Sequence, residues 1–84
     1  MITRLLEIGY KGIGRRWCKI IQGTSNCQFV GIVDTDEEVR WLAKTETGIP
    51  VLSSIEVAKT SVGADAAVIA TPSFAHASTV RECL

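Results

Sequence analysis

The sequence predicts an α/β fold in which a parallel sheet of about four strands lies between two layers of helices. Four apolar stretches alternate with four helix-like stretches along the 84 residues, and glycine, proline or a capping residue marks each transition. Apolar residues make up 46% of the chain, which is enough for one core. No linker, low-complexity tract or repeat interrupts the pattern, so we expect residues 1–84 to form a single domain.

Composition excludes several classes of protein. Nine basic and nine acidic residues cancel, so no global positive field favours nucleic acid or an anionic membrane. No apolar run approaches a membrane span and the N-terminus does not resemble a signal peptide, which predicts a cytoplasmic protein. Cys18, Cys27 and Cys83 are odd in number and lack metal-ligand spacing, so we expect reduced thiols and no metal site.

The first strand and helix surround a cluster of glycines. Residues 3–8 read as a strand, in which Glu7 must either lie at the strand's end or find a polar partner. A helix should run from Gly12 to near Gly23. Its predicted sheet-facing side, from the i, i+4, i+7, i+8 spacing, consists of Ile13, Trp17, Ile20 and Ile21.

A buried strand and a capped helix follow. "CQFVGIV", residues 27–33, is β-branched and apolar and stops at Asp34. Thr35 and Glu38 have capping-box spacing, and Gly48 predicts the helix C-terminus. The apolar stripe of this second helix consists of Val39, Leu42 and Ala43.

The second half of the chain repeats the alternation. "IPVLSS" allows a short third strand at a sheet edge, where the missing N–H of Pro50 is tolerated. Ser53 and Glu56 have capping-box spacing before a weak helix through about Ser61. "ADAAVIA", residues 64–70, predicts the fourth strand, which ends at Thr71-Pro72 before a last helix.

The glycine cluster has the context of a dinucleotide fingerprint, between a first strand and a first helix. Gly9 and Gly14 occupy the first and last glycine positions of GxGxxG, Lys11 replaces the middle one, and Gly12 and Ile13 follow it. The free N–H groups and dipole of the helix N-terminus favour a pyrophosphate there. Lys11 either contacts phosphate or enters the cofactor channel and weakens binding. The alternative for the glycines is an ordinary strand-to-helix turn.

Asp34 supports the cofactor interpretation. It closes the second strand 20 residues after Gly14, where a carboxylate accepts hydrogen bonds from the adenosine ribose. Thr35 follows, and nothing basic beside the carboxylate would compensate a 2′-phosphate, so NAD is favoured over NADP. The alternative is that Asp34 is a turn residue before a helix cap.

Three segments, "EIGYKGIGRRW", "FVGIVDTDEE" and "GADAAVIATPSFAH", resemble the N-terminal cofactor domain of the glucose-fructose oxidoreductase, inositol dehydrogenase and MocA family (Gfo/Idh/MocA). The resemblance implies a Rossmann-like three-layer αβα fold with strand order 3-2-1-4. It also implies that Thr71, Pro72 and Ser73 line the cofactor cleft near the nicotinamide, and that His76 stands at the first turn of the next helix.

The same resemblance implies what these residues lack. Family enzymes continue with a Glu-Lys-Pro segment and a substrate domain, whereas this sequence stops at Leu84 after the fourth strand and its helix. We therefore expect a partial NAD(P)-binding domain, with no catalytic residue and no turnover on its own. The alternatives are a non-catalytic dinucleotide sensor or interaction domain, and a decayed domain that binds nothing. A bare strand 64–70 would favour self-association.

Overall fold

A computed structural model of the chain describes residues 2–23, 26–61 and 63–70. Strands and helices alternate through this part of the sequence. In chain order they are β1 (Thr3–Ile8), α1 (Ile13–Gln22), β2 (Cys27–Val33), α2 (Glu37–Thr47), β3 (Val51–Leu52), α3 (Ile55–Ser61) and β4 (Ala66–Ile69). The predicted bounds of the first two strands are confirmed.

The four strands form one parallel sheet in the order β3-β2-β1-β4. This confirms the predicted Rossmann-like topology. β1 lies in the middle, pairing with β2 on one side and β4 on the other, and its register against β2 shifts between Leu5 and Leu6. All carboxyl ends therefore lie at one edge of the sheet, where the loops after β1 and β2 lie near Ala70 at the end of β4.

Helices cover both faces of the sheet, and alternate residues of β1 contact different layers. Leu5 belongs to a buried cluster that includes Cys18 of α1 and Ala43 of α2. Leu6 belongs to a second cluster that includes Ala58 of α3. The period-2 alternation of a strand explains the division. The sheet thus separates α1 and α2 from α3, as a three-layer fold requires.

The predicted sheet-facing side of α1 is wrong at three of its four positions; the fourth, Ile21, is partly buried and packs against the core. Ile13, Trp17 and Ile20 are 57%, 42% and 54% exposed, whereas Gly14 and Cys18 are buried. The reason is the glycine loop, because Gly14 must face the end of β1. Cys18 lies four residues later, on the same side of the helix at about 100° per residue, and therefore also faces the sheet. The apolar stripe therefore lies to one side of the buried face.

The helix caps differ from prediction by one residue. Asp36, not Thr35, caps α2, because its Oδ1 accepts hydrogen bonds from the N–H groups of Glu38 and Val39 at 2.9 and 3.3 Å. Ser54 is likewise the residue whose hydroxyl accepts from an α3 amide, at 3.2 Å. Gly48, with φ +71°, ends α2 as predicted.

The two outer strands of the described sheet are β3 and β4. The edge position of β3 agrees with the prediction from Pro50. At the start of β4, Ala66 and Ala67 are exposed. Within the described ranges, no helix is long and apolar enough to cross a membrane.

Candidate cofactor-binding site

The loop between β1 and α1 depends on glycine at three positions. Gly9 and Gly12 have φ values of +91° and +67°, which side chains other than hydrogen rarely permit. A Cβ on Gly14 would lie 2.2 Å from the carbonyl oxygen of Gly9. The first and last glycines of the motif are thus in direct backbone contact, which lets α1 begin immediately beside the end of β1.

The N-terminus of α1 has no side-chain cap. Gly12 occupies the N-cap position, and the first turn contains no acidic residue. Lys11 and Arg16 are exposed beside it. Unpaired N–H groups, the helix dipole and nearby cations all favour an anion here.

The carboxylate of Asp34 is held against this loop. Its Oδ2 accepts a hydrogen bond from the backbone N–H of Tyr10 at 3.1 Å, and its Oδ1 accepts one from the N–H of Asp36 at 3.0 Å. A carboxylate has about four acceptor positions, so two remain for a ligand. The pairing of Tyr10 with Asp34 joins the two halves of the predicted motif.

Arg40 is a neighbour of Asp34 that sequence reasoning missed. Its guanidinium Nη1 donates a hydrogen bond to the main-chain oxygen of Asp34 at 2.8 Å. The expectation that nothing basic lies beside Asp34 is therefore wrong. Arg40 is six residues further along the chain, and the turn into α2 returns its side chain to the end of β2. The only sequence signal for this contact was helix geometry, because a residue near the start of a helix lies close to the end of the strand that precedes it.

Tyr10 connects the glycine loop to α2. Its ring is 2% exposed, and its hydroxyl donates a hydrogen bond to Glu46 Oε1 at 2.7 Å. Glu46 also pairs with Arg15 of α1. The hydrogen bond from Tyr10, followed by the contact with Arg15, holds the pKa of Glu46 below its usual range, while burial raises the pKa of Tyr10. Arg15 is therefore engaged with α2.

The predicted site residues divide into two groups. Gly9, Lys11, Gly12, Ile13 and Gly14 form the loop and helix start, with Asp34 beside them at the same sheet edge. Thr71, Pro72, Ser73 and His76 lie outside the described residues. Ala70, the last described residue, donates its N–H to the oxygen of Ile8 at 2.8 Å, and its Cβ lies 3.4 Å from a Cβ built on Gly14. The end of β4 therefore adjoins the loop.

The sequence profile of the Gfo/Idh/MocA family, described as an oxidoreductase family with an NAD-binding Rossmann fold, matches residues 4–84. The chain belongs to this family. A search of the curated proteins found no match. The family assignment and the sheet order agree with the resemblance drawn from the three sequence segments.

Solved structures of Gfo/Idh/MocA relatives superpose on almost the whole chain. WlbA dehydrogenase from Bordetella pertussis, solved with NADH and UDP-GlcNAcA, is 30% identical, with a TM-score of 0.89 over 96% of this chain and 25% of its own. WlbA from Chromobacterium violaceum, with the same two ligands, is 20% identical, with a TM-score of 0.89 over 98% and 24%. Scyllo-inositol dehydrogenase from Lactobacillus casei, with NAD(H) and scyllo-inositol, is 16% identical, with a TM-score of 0.87 over 99% and 25%.

The superpositions cover almost all of this chain but only part of each solved chain. The chain spans about a quarter of the length of each, since the matched shares of the three solved chains are 25%, 24% and 25%. The two structures below 25% identity show likeness of fold alone. The described residues correspond to the NAD-binding Rossmann part of Gfo/Idh/MocA oxidoreductases.

Beneath the glycine loop lies a buried polar pair. Glu7, 0% exposed, accepts a hydrogen bond from the Cys18 thiol at 2.9 Å, and its other carboxyl oxygen, Oε1, has no partner among the described residues. Burial raises the pKa of Glu7 to about 7, although the hydrogen bond from Cys18 opposes this. Burial and the contact with Glu7 raise the pKa of the thiol. The described residues contain no group of three acidic, His or Cys side chains that could hold a metal.

Proposed function

We propose that these residues bind NAD as the dinucleotide-binding domain of a Gfo/Idh/MocA oxidoreductase. One observation carries the proposal: the Tyr10 N–H donates to Asp34 Oδ2 at 3.1 Å, so the carboxylate stands beside the uncapped start of α1. In dinucleotide-binding Rossmann folds the pyrophosphate lies at the N-terminus of the first helix and the ribose lies at an acidic residue after the second strand. Family membership over residues 4–84 supports the same ligand.

The pyrophosphate is assigned to the N-terminus of α1. With Gly12 as N-cap and no acid in the first turn, the described residues provide no capping side chain for the amides there. Bound phosphate oxygens would accept from these amides and stabilise the positive end of the helix dipole. The exposed ammonium of Lys11 can fold over the phosphates as a point charge.

The adenosine ribose is assigned to Asp34. Two backbone amides fix its carboxylate and leave acceptor positions for the ribose hydroxyls. A 2′-phosphate would meet the negative charge of this carboxylate, so NAD is preferred to NADP. The hydrogen bond from the Asp36 N–H to Oδ1 is the one that the turn-residue alternative predicts. The hydrogen bond from the Tyr10 N–H to Oδ2 reaches the glycine loop and supports the cofactor interpretation.

The nicotinamide end is assigned to the segment after β4. The family resemblance supports Thr71, Pro72, Ser73 and His76 as its contacts. The position of Ala70 beside Gly14 supports a chain that leaves β4 at the cofactor edge. NAD supplies or accepts a hydride when bound; the residues assigned here bind and orient it.

We further propose that the 84 residues do not turn over a substrate on their own. Hydride transfer requires a substrate held against the nicotinamide. The solved relatives that contain both cofactor and a second ligand are about four times longer, since this chain covers about a quarter of each. An assay of the 84-residue polypeptide for NAD reduction with inositols and sugar nucleotides should show none.

Calorimetric titration with NAD tests the proposed function. We expect saturable binding at one site, and a loss of about tenfold or more in affinity for Asp34→Ala, since hydrogen bonds to a charged group contribute about 1.5–3 kcal/mol. Asp65→Ala is the matched control. Asp65 lies at the amino end of β4, away from the carboxyl ends of the strands where the site is proposed, and it pairs with Arg4. Absence of binding by the native chain, or equal losses in both variants, would contradict the proposal.

A further inference from the structure

We propose that Glu7 makes the cofactor affinity of this site depend on pH. Its buried carboxyl, which Cys18 contacts from α1, favours the dinucleotide when neutral and opposes it when ionised. This inference rests on the proposed function, because it concerns the pyrophosphate that the start of α1 is proposed to bind. Glu7 thereby acquires a role although it is not one of the residues assigned to the cofactor.

Glu7 connects the two elements that form the phosphate site. It lies on β1, two residues before Gly9, and its Oε2 accepts a hydrogen bond at 2.9 Å from the thiol of Cys18 on α1. Cys18 comes five residues after Ile13, where α1 begins, which is roughly 7.5 Å along the helix axis. The carboxyl therefore lies between the sheet and the helix whose N-terminus is proposed to hold the phosphates.

The surroundings of Glu7 offer no compensation for a negative charge. Its partners in register are Ile32 on β2 and Val68 on β4, and both are apolar. The α2 residues of the buried cluster on this face of the sheet are Val39 and Ala43. Oε1 has no hydrogen-bond partner among the described residues, and neither of their ion pairs includes Glu7.

The titratable groups packed around Glu7 stay uncharged near neutral pH. They are the thiol of Cys18 and the hydroxyl of Tyr10, which lies in the same buried cluster as Cys18. Burial raises the pKa of both groups. The charged pair at the junction of α1 with α2, Arg15 and Glu46, is closed on itself. Among the described residues, Glu7 is therefore the buried group whose charge changes near pH 7.

A bound dinucleotide and an ionised Glu7 repel each other. Burial raises the pKa of Glu7 to about 7, and the negative pyrophosphate is proposed to lie at the end of the helix that covers it. Like charges separated by protein interact more strongly than in water, so the bound ligand should raise the pKa of Glu7 further. By linkage, ionised Glu7 lowers the affinity to the same extent. Affinity should therefore fall as pH rises through the pKa of Glu7.

Calorimetric titrations at pH 5 and pH 8, at one fixed low salt concentration, test this inference. The ligands are NAD and ADP-ribose, which keeps the pyrophosphate but lacks the nicotinamide. The affinity of the native chain for both should be lower at pH 8 by about threefold. Glu7→Gln should show no such decrease. Glu56→Gln is the matched control, because Glu56 is an exposed acid of α3, on the other face of the sheet, and it should behave as the native chain does.

Two further measurements do not depend on the folding of Glu7→Gln. NMR titration of the Glu7 carboxyl in the native chain should give a pKa about 0.5 higher with saturating ADP-ribose, which corresponds to a threefold change in affinity. Cys18→Ser should shift the decrease in affinity to lower pH, because a hydroxyl is a stronger donor than a thiol and stabilises the ionised carboxyl. Circular dichroism at both pH values establishes which variants are folded.

The outcomes separate this inference from the proposed function. Equal decreases in the native chain and Glu7→Gln would overturn the inference, as would a Glu7 pKa that ADP-ribose leaves unchanged. A decrease for NAD but not for ADP-ribose would also overturn it, because the titrating group would then act at the nicotinamide end. Failure of the native chain to bind NAD at either pH would instead refute the proposed function.

Discussion

Cys18 donates a hydrogen bond from its thiol to Glu7 Oε2 at 2.9 Å, and neither side chain reaches solvent. Glu7 is on the central strand and Cys18 is on the face of α1 that packs against it. The sequence predicted either a position at the strand's end or a polar partner for Glu7, and the structure provides a weak partner, a thiol. A carboxyl in this setting is favoured in its neutral form, because burial penalises the charge and Oε1 has no partner among the described residues.

Stability should therefore fall as pH rises toward neutrality. The pKa of Glu7 is raised from 4.5 to about 7, so between these values the folded chain binds more protons than the unfolded chain, and the free energy of unfolding decreases. The shift corresponds to a loss of roughly 3 kcal/mol from about pH 4.5 to above pH 7. Glu7→Gln should remove this contribution. Urea unfolding at pH 5 and pH 8 measures it.

Glu56→Gln is the control for this pH dependence, because Glu56 is an exposed acid in the first turn of α3. The Glu56→Gln variant should show the same decrease in the free energy of unfolding from pH 5 to pH 8 as the native chain. The assignment to Glu7 would be wrong if the native chain and Glu7→Gln lost the same free energy of unfolding between pH 5 and pH 8.

Two alanine substitutions in the glycine loop should have unequal effects. Gly14→Ala places a Cβ 2.2 Å from the Gly9 oxygen, so strand and helix must separate, and we expect a loss of more than about 3 kcal/mol in the free energy of unfolding. A Cβ at position 12 meets no atom of the described residues within 4 Å, so the cost of Gly12→Ala is the strain of φ +67°, about 1–3 kcal/mol. Urea unfolding of both variants measures which substitution lowers the free energy of unfolding more. A larger loss for Gly12→Ala than for Gly14→Ala would contradict the prediction.

These features show which parts of the molecule could be predicted from sequence. The bounds of β1 and β2 were predictable because apolar runs and the punctuation at Gly9 and Asp34 are local signals. The orientation of α1 was not, because it follows from the backbone contact of Gly14 with Gly9, which overrides the hydrophobic stripe. Arg40 was missed for a related reason: its contact depends on how α2 leaves the sheet.

Tyr10→Phe should loosen the attachment of the glycine loop to α2. The variant loses the hydrogen bond from the hydroxyl to Glu46 Oε1, 2.7 Å long, and we expect a decrease of about 1–2 kcal/mol in the free energy of unfolding. The pKa of Glu46 should rise, because this hydrogen bond is the main cause of its depression. Urea unfolding and NMR titration of the Glu46 carboxyl measure the two effects.

Glu46→Gln is the comparison for Tyr10→Phe. Its amide oxygen still accepts a hydrogen bond from the Tyr10 hydroxyl, but the ion pair with Arg15 is lost. Since exposed ion pairs contribute little, we expect a smaller loss of stability than for Tyr10→Phe. A larger loss would mean that the ion pair, rather than the tyrosine, attaches the loop to α2.

Self-association through β4 is the last expected property. Of the strands that the structure describes, β4 lies at one edge, and Ala66 and Ala67 are exposed there without a charge. Unprotected edge strands pair with other chains, and a lysine on such an edge prevents pairing. The apparent mass by light scattering should therefore rise with concentration for the native chain, and Ala67→Lys should reduce that rise. Gln22→Lys, which adds the same charge at the end of α1, should not. A constant monomer mass in the native chain would contradict the prediction, and a loss of association in Trp17→Lys but not in Ala67→Lys would assign it to the exposed stripe of α1 instead.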